Sequence, residues 1–231
     1  MNKGIQKLFS EVSNTYELVN HLLTFGLDIA WRKKTAKIAS ELGGKRWIDV
    51  CCGTGEMVAY LSQLAKDDTQ IFATDFSLPM LSKAFLKPEG KHIKFVLSDI
   101  KKLPFDDNIF DLITISFATR NINLNRDILI QSFSEFYRIL KPGGSFINLE
   151  TSQPSLSLIR KLFHFYAKLF VKPIGSFVSG SKDSYTYLSK TIPKFYFAEE
   201  LVDIMRISGF NEIHYQKLFL GISAIHQGFK S

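Results

Sequence analysis

The order of apolar and polar positions divides the chain into two regimes. Over the first 45 residues, Leu8, Val12, Tyr16, Val19 and Leu23 return at helical spacing and predict one helical run. Gly26 interrupts it, Asp28 offers a cap, and Ile29 to Leu42 resumes the pattern until Gly43-Gly44 stops it. From Trp47 the rhythm changes. Short apolar runs predict strands at Trp47–Val50, Ile71–Thr74, Ile93–Leu97, Phe110–Phe117 and Ser145–Leu149. Helices are predicted between them at Met57–Leu64, Leu78–Leu86 and Ile128–Leu140, the last ended by Lys141-Pro142-Gly143-Gly144. After a break over residues 151–190, Ala198–Ile207 reads as a helix. Phe210–Phe219 and Ile222–Phe229 then read as a closing hairpin around Gly221. Strands apolar on both faces and alternating with helices predict an α/β fold, a doubly wound, mostly parallel seven-stranded sheet. No repeat or low-complexity linker divides residues 1–231. The expectation is a single domain with an N-terminal helical cap (1–45) and a helical insertion (151–190) before the last helix and hairpin.

Composition narrows the class. The 231 residues are 45% hydrophobic and 22% charged, values of a folded globular chain rather than a disordered one. The two cysteines are the neighbours Cys51 and Cys52, which make neither a disulfide scaffold nor, alone, a zinc site. This points to a reducing, cytoplasmic compartment. No secretory signal opens the chain, and no apolar run reaches the roughly 18–20 residues that span a bilayer. The net charge of +7 admits nucleic acid or an anionic membrane as partner, and 21 phenylalanines, where exposed, favour lipid.

The stretch with most chemical content is Trp47-Ile48-Asp49-Val50-Cys51-Cys52-Gly53-Thr54-Gly55-Glu56, a strand, a tight glycine turn and a helix start. Gly53 and Gly55 let the backbone take positive φ and approach a ligand closely. A dinucleotide fingerprint needs a third glycine where Val58 stands, and Glu56 is an acid where a pyrophosphate would sit. The acid-headed form Asp49-x-x-x-Gly53-x-Gly55 instead suits S-adenosylmethionine, a phosphate-free ligand that carries an ammonium and a sulfonium. Asp75 follows the second strand, 20 residues after Gly55, where an acid can accept both ribose hydroxyls. Asp99 and Ile100 follow the third strand, placed to meet an adenine amino group and pack on its ring. Each acid taken singly is equally well a helix cap. Cys51 and Cys52 read as small packing residues under the loop, not redox centres.

At this point the chain resembles a known group, the ubiquinone/menaquinone biosynthesis C-methyltransferases within the Rossmann-like S-adenosylmethionine-dependent methyltransferases. The resemblance covers almost the whole length. It is carried by Tyr16-Glu-Leu-Val-Asn20 through Phe25-Gly26 to Trp31-Arg32, by Leu103-Pro104-Phe105 with Phe110-Asp111, and by Ile115-Ser116-Phe117-Ala118-Thr119-Arg120-Asn121. Leu149-Glu150-Thr-Ser-Gln-Pro154, Asp183-Ser-Tyr185-Thr-Tyr187-Leu188 and Gly221-Ile-Ser-Ala-Ile-His226-Gln-Gly228 complete it. Tyr137-Arg138-Ile-Leu-Lys141-Pro142-Gly143-Gly144 is shared by many methyltransferases and discriminates little. The resemblance implies cofactor positions at Thr54, Asp75, Asp99, Ile100 and Ser116. The chain departs from the family at Cys51-Cys52 (usually Ala-Gly), at Ala118-Thr119 (Gly-Leu), at Gln153 (Lys) and across 155–172.

The implied reaction is in-line transfer of a methyl group to a ring carbon of a polyprenyl hydroquinone. It needs a base, or a cation that stabilises the phenolate. Arg120, after the fourth strand, can lower a phenol's pKa or order a water that takes the proton, and alternatively pairs with an acid to fix its loop. Asn121 can hold that water or a ring oxygen. Tyr16 and Asn20 lie one turn apart and so share a helix face that can line the acceptor pocket. Tyr185 and Tyr187, read as alternating about an extended segment or in a loop, can reach the substrate. His226 reads as a hydrogen-bonded structural histidine, and His21, His92, His164 and His214 show no metal-ligand spacing.

Residues 151–190 hold six Lys/Arg, one acid and seven Phe/Tyr. Within them Ser155–Val171 is amphipathic: Ile159, Leu162, Phe163, Tyr166, Leu169 and Phe170 face one side, Ser157, Arg160, Lys161, His164 and Lys168 largely the other. Such a helix, ended by Pro173 and Gly175, can lie on an anionic membrane, close as a lid over an isoprenoid tail, or pack on the core. The charge is concentrated beside the expected acceptor site. The reading therefore favours a lipid-like quinol and transient contact with the inner face of a membrane over nucleic acid. An adenine-methylating Asn/Asp-Pro-Pro-Tyr/Phe motif and a nucleophilic cysteine away from the loop are both absent from the sequence. A different phenolic or lipid acceptor, a non-catalytic cofactor-binding subunit and a homodimer stay open.

Overall fold

The apolar runs do form a sheet. The computed structural model, which describes residues 3–231, has seven strands: β1 Arg46–Val50, β2 Gln70–Asp75, β3 Ile93–Leu97, β4 Phe110–Ser116, β5 Leu140–Thr151, β6 Asn211–Leu218 and β7 Ser223–Phe229. They lie in the order β3-β2-β1-β4-β5-β7-β6. The first five pair in parallel, and β7 enters antiparallel between β5 and β6. The direction of winding reverses between β1 and β4. In such sheets the crevice at the carboxyl ends of these strands is where ligands bind.

Strand alternation sorts the residues of β1 and β4 between two cores. Ile48, Val50, Ile113 and Ile115 face one side, where α7 (Arg126–Ile139) and α11 (Ala198–Ile207) cover an aromatic cluster of Phe133, Phe136, Phe146 and Phe210. Phe146 lies 5.2 Å from Phe133 and 5.0 Å from Phe210, centroid to centroid. Trp47 and Leu112 face the other side, against α3 (Leu27–Glu41) and α4 (Glu56–Leu64). A large share of the phenylalanine is thus core.

Five local expectations are corrected. The first helical run is two helices, α1 (Lys3–Val12) and α2 (Tyr16–Thr24), because Ser13-Asn14-Thr15 turns the chain and the Thr15 amide bonds Val12 O at 3.0 Å. Short polar side chains of this kind compete with helix continuation. Gly26 rather than Asp28 occupies the cap position of α3, with φ 75°, and Asp28 is buried at the second position of the helix. The strand after α7 starts at Leu140, with a register shift between Phe110 and Leu112 that absorbs Lys141–Gly144.

Pro173 and Gly175 do not end a helix. α8 (Ser157–Tyr166) passes through a wide π-helical turn, Ala167–Val171, into α9 (Lys172–Ser179), whose first turn holds Pro173. A proline there needs no amide partner, and a π turn shifts the hydrogen-bond register around it. Gly175 sits mid-helix because the ring of Tyr185 lies on it; a Cβ at this position would be 2.1 Å from Tyr185 Cδ1. Tyr185 and Tyr187 are correspondingly helical, in α10 (Lys182–Thr191), not extended.

Candidate active site

β1 delivers Asp49 and then a loop of left-handed residues, Cys51 (φ 54°), Gly53 (φ 55°) and Gly55 (φ 84°). Gly55 has no room for a side chain, since a Cβ would stand 2.7 Å from Ala84 Cβ in α5 (Leu78–Phe85). The loop is stitched inward. The Cys52 amide donates to Thr74 O, the Gly53 amide to Asp75 Oδ2 and the Gly55 amide to Cys52 O, each at 2.9 Å. Asp75 also accepts from the Ser77 amide at 2.9 Å, so one of its oxygens braces the glycine loop and the other the turn after β2. Asp49 accepts from Thr114 Oγ1 at 2.6 Å, while its Oδ2 is buried with no partner among the described residues. Burial pushes the Asp49 carboxyl up to about 7 and that of Asp75 to about 6, against the stabilising pull of these hydrogen bonds. Burial likewise raises both cysteine thiols far above their ordinary value, which keeps them protonated and unreactive.

The loop opens on a narrow cleft that Thr54 and Ser116 also line, roofed by Phe9 of α1. Gln6 Nε2 donates to Phe76 O at 2.6 Å, and the Ser10 and Ser77 hydroxyls lie 2.9 Å apart, so α1 is latched to the turn after β2. Asp99 and Ile100 line a small hollow beside the cleft, which shares Asn121 and Ile122 with it. The Asp99 carboxylate accepts from the Lys101 amide at 3.0 Å.

Behind the cleft lies a second cavity of about 390 Å³. Its walls are mainly apolar, drawn from α2, α3, α8, α10 and the hairpin turn, and the aromatic face of α8 (Ile159, Leu162, Phe163, Tyr166) closes one side. The apolar face of this helix thus forms a cavity wall. Tyr16, Arg32 and Phe117 line both spaces and mark the passage between them. Arg120, on the short helix α6 (Thr119–Ile122), and Asn20 line the large cavity, and Asn121 lines the cleft.

Arg120 is held by a buried acid that sequence reasoning quoted without assigning a role. Its amide donates to Glu150 Oε2 at 3.0 Å, and its Nη1 donates to Thr151 Oγ1 at 3.0 Å and stands 3.9 Å from Glu150 Oε1. Its Nε is buried and has no partner among the described residues. Tyr16 is partly buried and feels both Arg32 and Arg120; desolvation outweighs both cations and raises its phenol pKa, so it stays a hydroxyl donor. Tyr187 feels Arg120 and Glu150 electrostatically but lines neither space, and its phenol is raised by burial.

Tyr185 does not reach either space. It is fully buried among Val19, Met80 and Val171, and its hydroxyl has no partner among the described residues. Leaving a buried hydroxyl unpaired costs stability, so Tyr185→Phe should leave the thermal midpoint unchanged or raise it. Differential scanning calorimetry checks this; a clear fall would mean the hydroxyl has a partner.

A second network was also invisible to spacing arguments. Arg32 Nη1 donates to Asp28 Oδ2 at 2.5 Å, and its Nη2 lies 3.4 Å from Glu56 Oε2. His21 bridges the same two acids, at 3.0 Å to Asp28 and 3.4 Å to Glu56. Glu17, His21 and Glu56 bring ligating atoms within 4.8 Å of one another, with Arg32 supplying the cation beside them. The signal that could have found this network is the aligned quartet Glu17, His21, Asp28 and Arg32, at helical steps on two adjoining helices. His226 is structural: its Nε2 lies 3.0 Å from Ala198 O, and burial lowers its pKa to about 4. Gln153, where the resembled family has lysine, donates to Ile192 O at 2.9 Å and pairs with His164 at 2.7 Å, fixing α8 against the end of α10.

The chain is similar to known methyltransferases. A protein of Desulfotalea psychrophila named ubiquinone/menaquinone biosynthesis C-methyltransferase is 33% identical over 98% of this chain and 90% of its own length. The demethylmenaquinone methyltransferase of Staphylococcus carnosus is 34% identical over 98% and 92%. Among solved structures, an S-adenosylmethionine-dependent methyltransferase of Thermotoga maritima, described as a possible histamine N-methyltransferase, shares the fold. Its TM-score is 0.67 at 17% identity, covering 98% of this chain and all of that one. A phosphoethanolamine N-methyltransferase of Haemonchus contortus, solved with S-adenosyl-L-methionine, aligns with a TM-score of 0.58 at 16% identity, over 85% of this chain and 52% of its own. The ubiE/COQ5 methyltransferase family profile matches residues 1–230, and the chain belongs to that family.

Proposed function

We propose that this methyltransferase moves the methyl group of S-adenosylmethionine to a ring carbon of a polyprenyl hydroquinone. The observation that carries the reading is the meeting, at Tyr16, Arg32 and Phe117, of an acid-lined glycine cleft and a mainly apolar cavity with Arg120 on its wall. The cleft residues fit the donor. Asp75 lines the cleft where the ribose hydroxyls are expected, and Asp49, buried behind the glycine loop with one oxygen unpartnered among the described residues, adds negative potential beneath it. Thr54, Gly53, Gly55 and Ser116 line or shape the same wall, and Asp99 and Ile100 the adjoining hollow. The donor supplies a methyl group already activated by its sulfonium.

The protein's own residues then place and polarise the acceptor. Arg120 stabilises negative charge on the ring oxygen next to the reacting carbon, and an arginine held by Glu150 and Thr151 does so without reorganising. Tyr16 and Asn20 orient the ring from α2, and Asn121 holds a water or ring oxygen at the cleft side. The apolar walls exclude water from the transfer. Methylation of a ring carbon agrees with the relatives' names, which are those of quinone-pathway C-methyltransferases.

The mouth of the cavity supports a lipid partner. Phe25, Leu162, Phe219 and Leu220 line it while staying 82%, 57%, 55% and 66% exposed. Three of them, Phe25, Phe219 and Leu220, hold left-handed backbone that bulky residues rarely adopt. Lys161, Lys168 and Lys172 lie along the segment that forms the rim. No helix among the described residues is long and apolar enough to cross a membrane. The proposed contact is therefore peripheral, with the substrate's tail left in an anionic bilayer.

The raised carboxyls give a pH dependence. With Asp75 at about 6 and Asp49 at about 7 in the free protein, both are partly protonated below neutrality. The donor's sulfonium and ammonium favour the ionised forms, so binding must release protons there. Affinity for S-adenosylmethionine should rise about ten- to a hundredfold from pH 5.5 to 7.5, since each unit below a pKa costs about tenfold. Calorimetry in buffers of different ionisation enthalpy measures both affinity and proton release.

The function is tested by incubating the protein with methyl-labelled S-adenosylmethionine and membrane lipid extract containing reduced quinones. Label in the isoprenoid quinone fraction, with a ring-methyl product by mass spectrometry, supports the reading. Label in another phenol or lipid replaces the acceptor, and cofactor binding without any labelled product makes the chain a binding subunit.

A further inference from the structure

We infer that Arg32 is the binding partner of the donor's α-carboxylate. The inference rests on S-adenosylmethionine being the methyl donor. That ligand ends in an amino acid, whose ammonium and neighbouring sulfonium are positive and whose carboxylate is negative. The cleft offers two acids on its wall to the positive groups, Glu56 and Asp75. For the carboxylate it offers one cation: Arg32 is the single basic side chain among the described residues that line the cleft. The amides of Cys52, Gly53 and Gly55, which would otherwise receive an anion in a glycine loop, are already bonded to protein oxygens.

Arg32 is built for this task. It is 3% exposed, its guanidinium lies 4.9 Å above the Phe117 ring, and Asp28 and Glu56 hold one terminal nitrogen each. A guanidinium has five N–H donors in a planar fork, so donors remain for a carboxylate after those two contacts. Arg32 also lines the acceptor cavity, so an anchored carboxylate fixes the donor's amino-acid end at the passage through which the methyl group must move.

The experiment compares two ligands on three proteins by direct binding, without turnover. The ligands are S-adenosylmethionine and its decarboxylated form, which keeps the sulfonium and ammonium and lacks only the carboxylate. The proteins are wild type, Arg32→Gln and Arg32→Lys. Wild type should prefer S-adenosylmethionine by about ten- to a hundredfold, the value of a charge-assisted bond. In Arg32→Gln the preference should shrink to less than about threefold through loss of S-adenosylmethionine affinity alone. Arg32→Lys, which keeps a cation beside Asp28 and Glu56 and so protects the fold, should fall between. A wild-type preference near one overturns the inference, and so does a full preference that survives in either variant. Equal losses for both ligands make Arg32 structural and overturn it too. If wild type binds neither ligand, the donor reading itself fails, an outcome distinct from the others.

Discussion

Arg120→Ala is expected to lower kcat by about 10²–10³-fold, the usual loss when a preorganised donor to a developing oxyanion is removed. Affinity for the donor should change by less than about threefold, because Arg120 lines the acceptor cavity while its neighbour Asn121 lines the cleft. The substitution is clean for a structural reason. The bond from the residue-120 amide to Glu150 Oε2 belongs to the backbone and survives in alanine. Glu150 also keeps the Thr151 amide on its other oxygen, at 2.7 Å, so truncation does not strand a bare buried carboxylate. Arg120→Lys should recover part of the rate, since a point charge stabilises a phenolate but cannot hold Thr151 and the ring oxygen together as a planar fork does. Steady-state kinetics with a separate donor titration checks this. A parallel collapse of donor binding would make Arg120 a loop brace instead.

Arg120 was legible in the sequence because it sits one turn beyond a strand whose apolar pattern is unmistakable. The same holds for Asp49, Gly53, Gly55 and Asp75. Strand, loop and helix there follow one another within about ten residues, and local chemistry dictates the turn. Arg32 and Glu150 were not legible as site residues. Arg32 closes the Tyr16–Arg32 stretch that carries the resemblance but has no role assigned there, and its partner Glu56 is 24 positions away. Glu150 ends a strand next to an apparently ordinary Thr-Ser pair, and its meaning depends on Arg120 arriving from 30 positions earlier. Tyr185 and Tyr187 were misread for a different reason: aromatic–Thr–aromatic alternation is a strand pattern by propensity, and tertiary packing on Gly175 overrides it. Pro173 and Gly175 misled in the same place, because their meaning as helix breakers holds only where no π turn and no facing ring require them.

Gly175→Ala carries the second large effect, on stability. The added Cβ would lie 2.1 Å from Tyr185 Cδ1, 2.2 Å from Cγ and 2.6 Å from Cε1, separations that no rotation of the methyl group relieves. Tyr185 cannot swing aside, since its ring is fully buried in the cluster that joins α1, α2 and α10. Overpacking of this kind costs about 3 kcal/mol, at the upper end of its usual range. In a chain of this size that lowers the thermal midpoint by about 6–12 °C. Alanine is the better helix former, so propensity alone predicts the opposite sign, which makes the measurement decisive between the two. Adding Tyr185→Leu, which removes the facing ring atoms, should restore part of the loss, whereas a loss caused by backbone strain at residue 175 would persist. The consequence reaches the acceptor cavity. The segment that carries Gly175 continues from the wall formed by α8, and Leu188 and Ile192, one and two turns beyond Tyr185, line that cavity themselves. A variant that folds with this contact pried apart should therefore bind the apolar acceptor more weakly, with a smaller loss of donor affinity passed on through Met80, which packs with Tyr185 and lines the cleft.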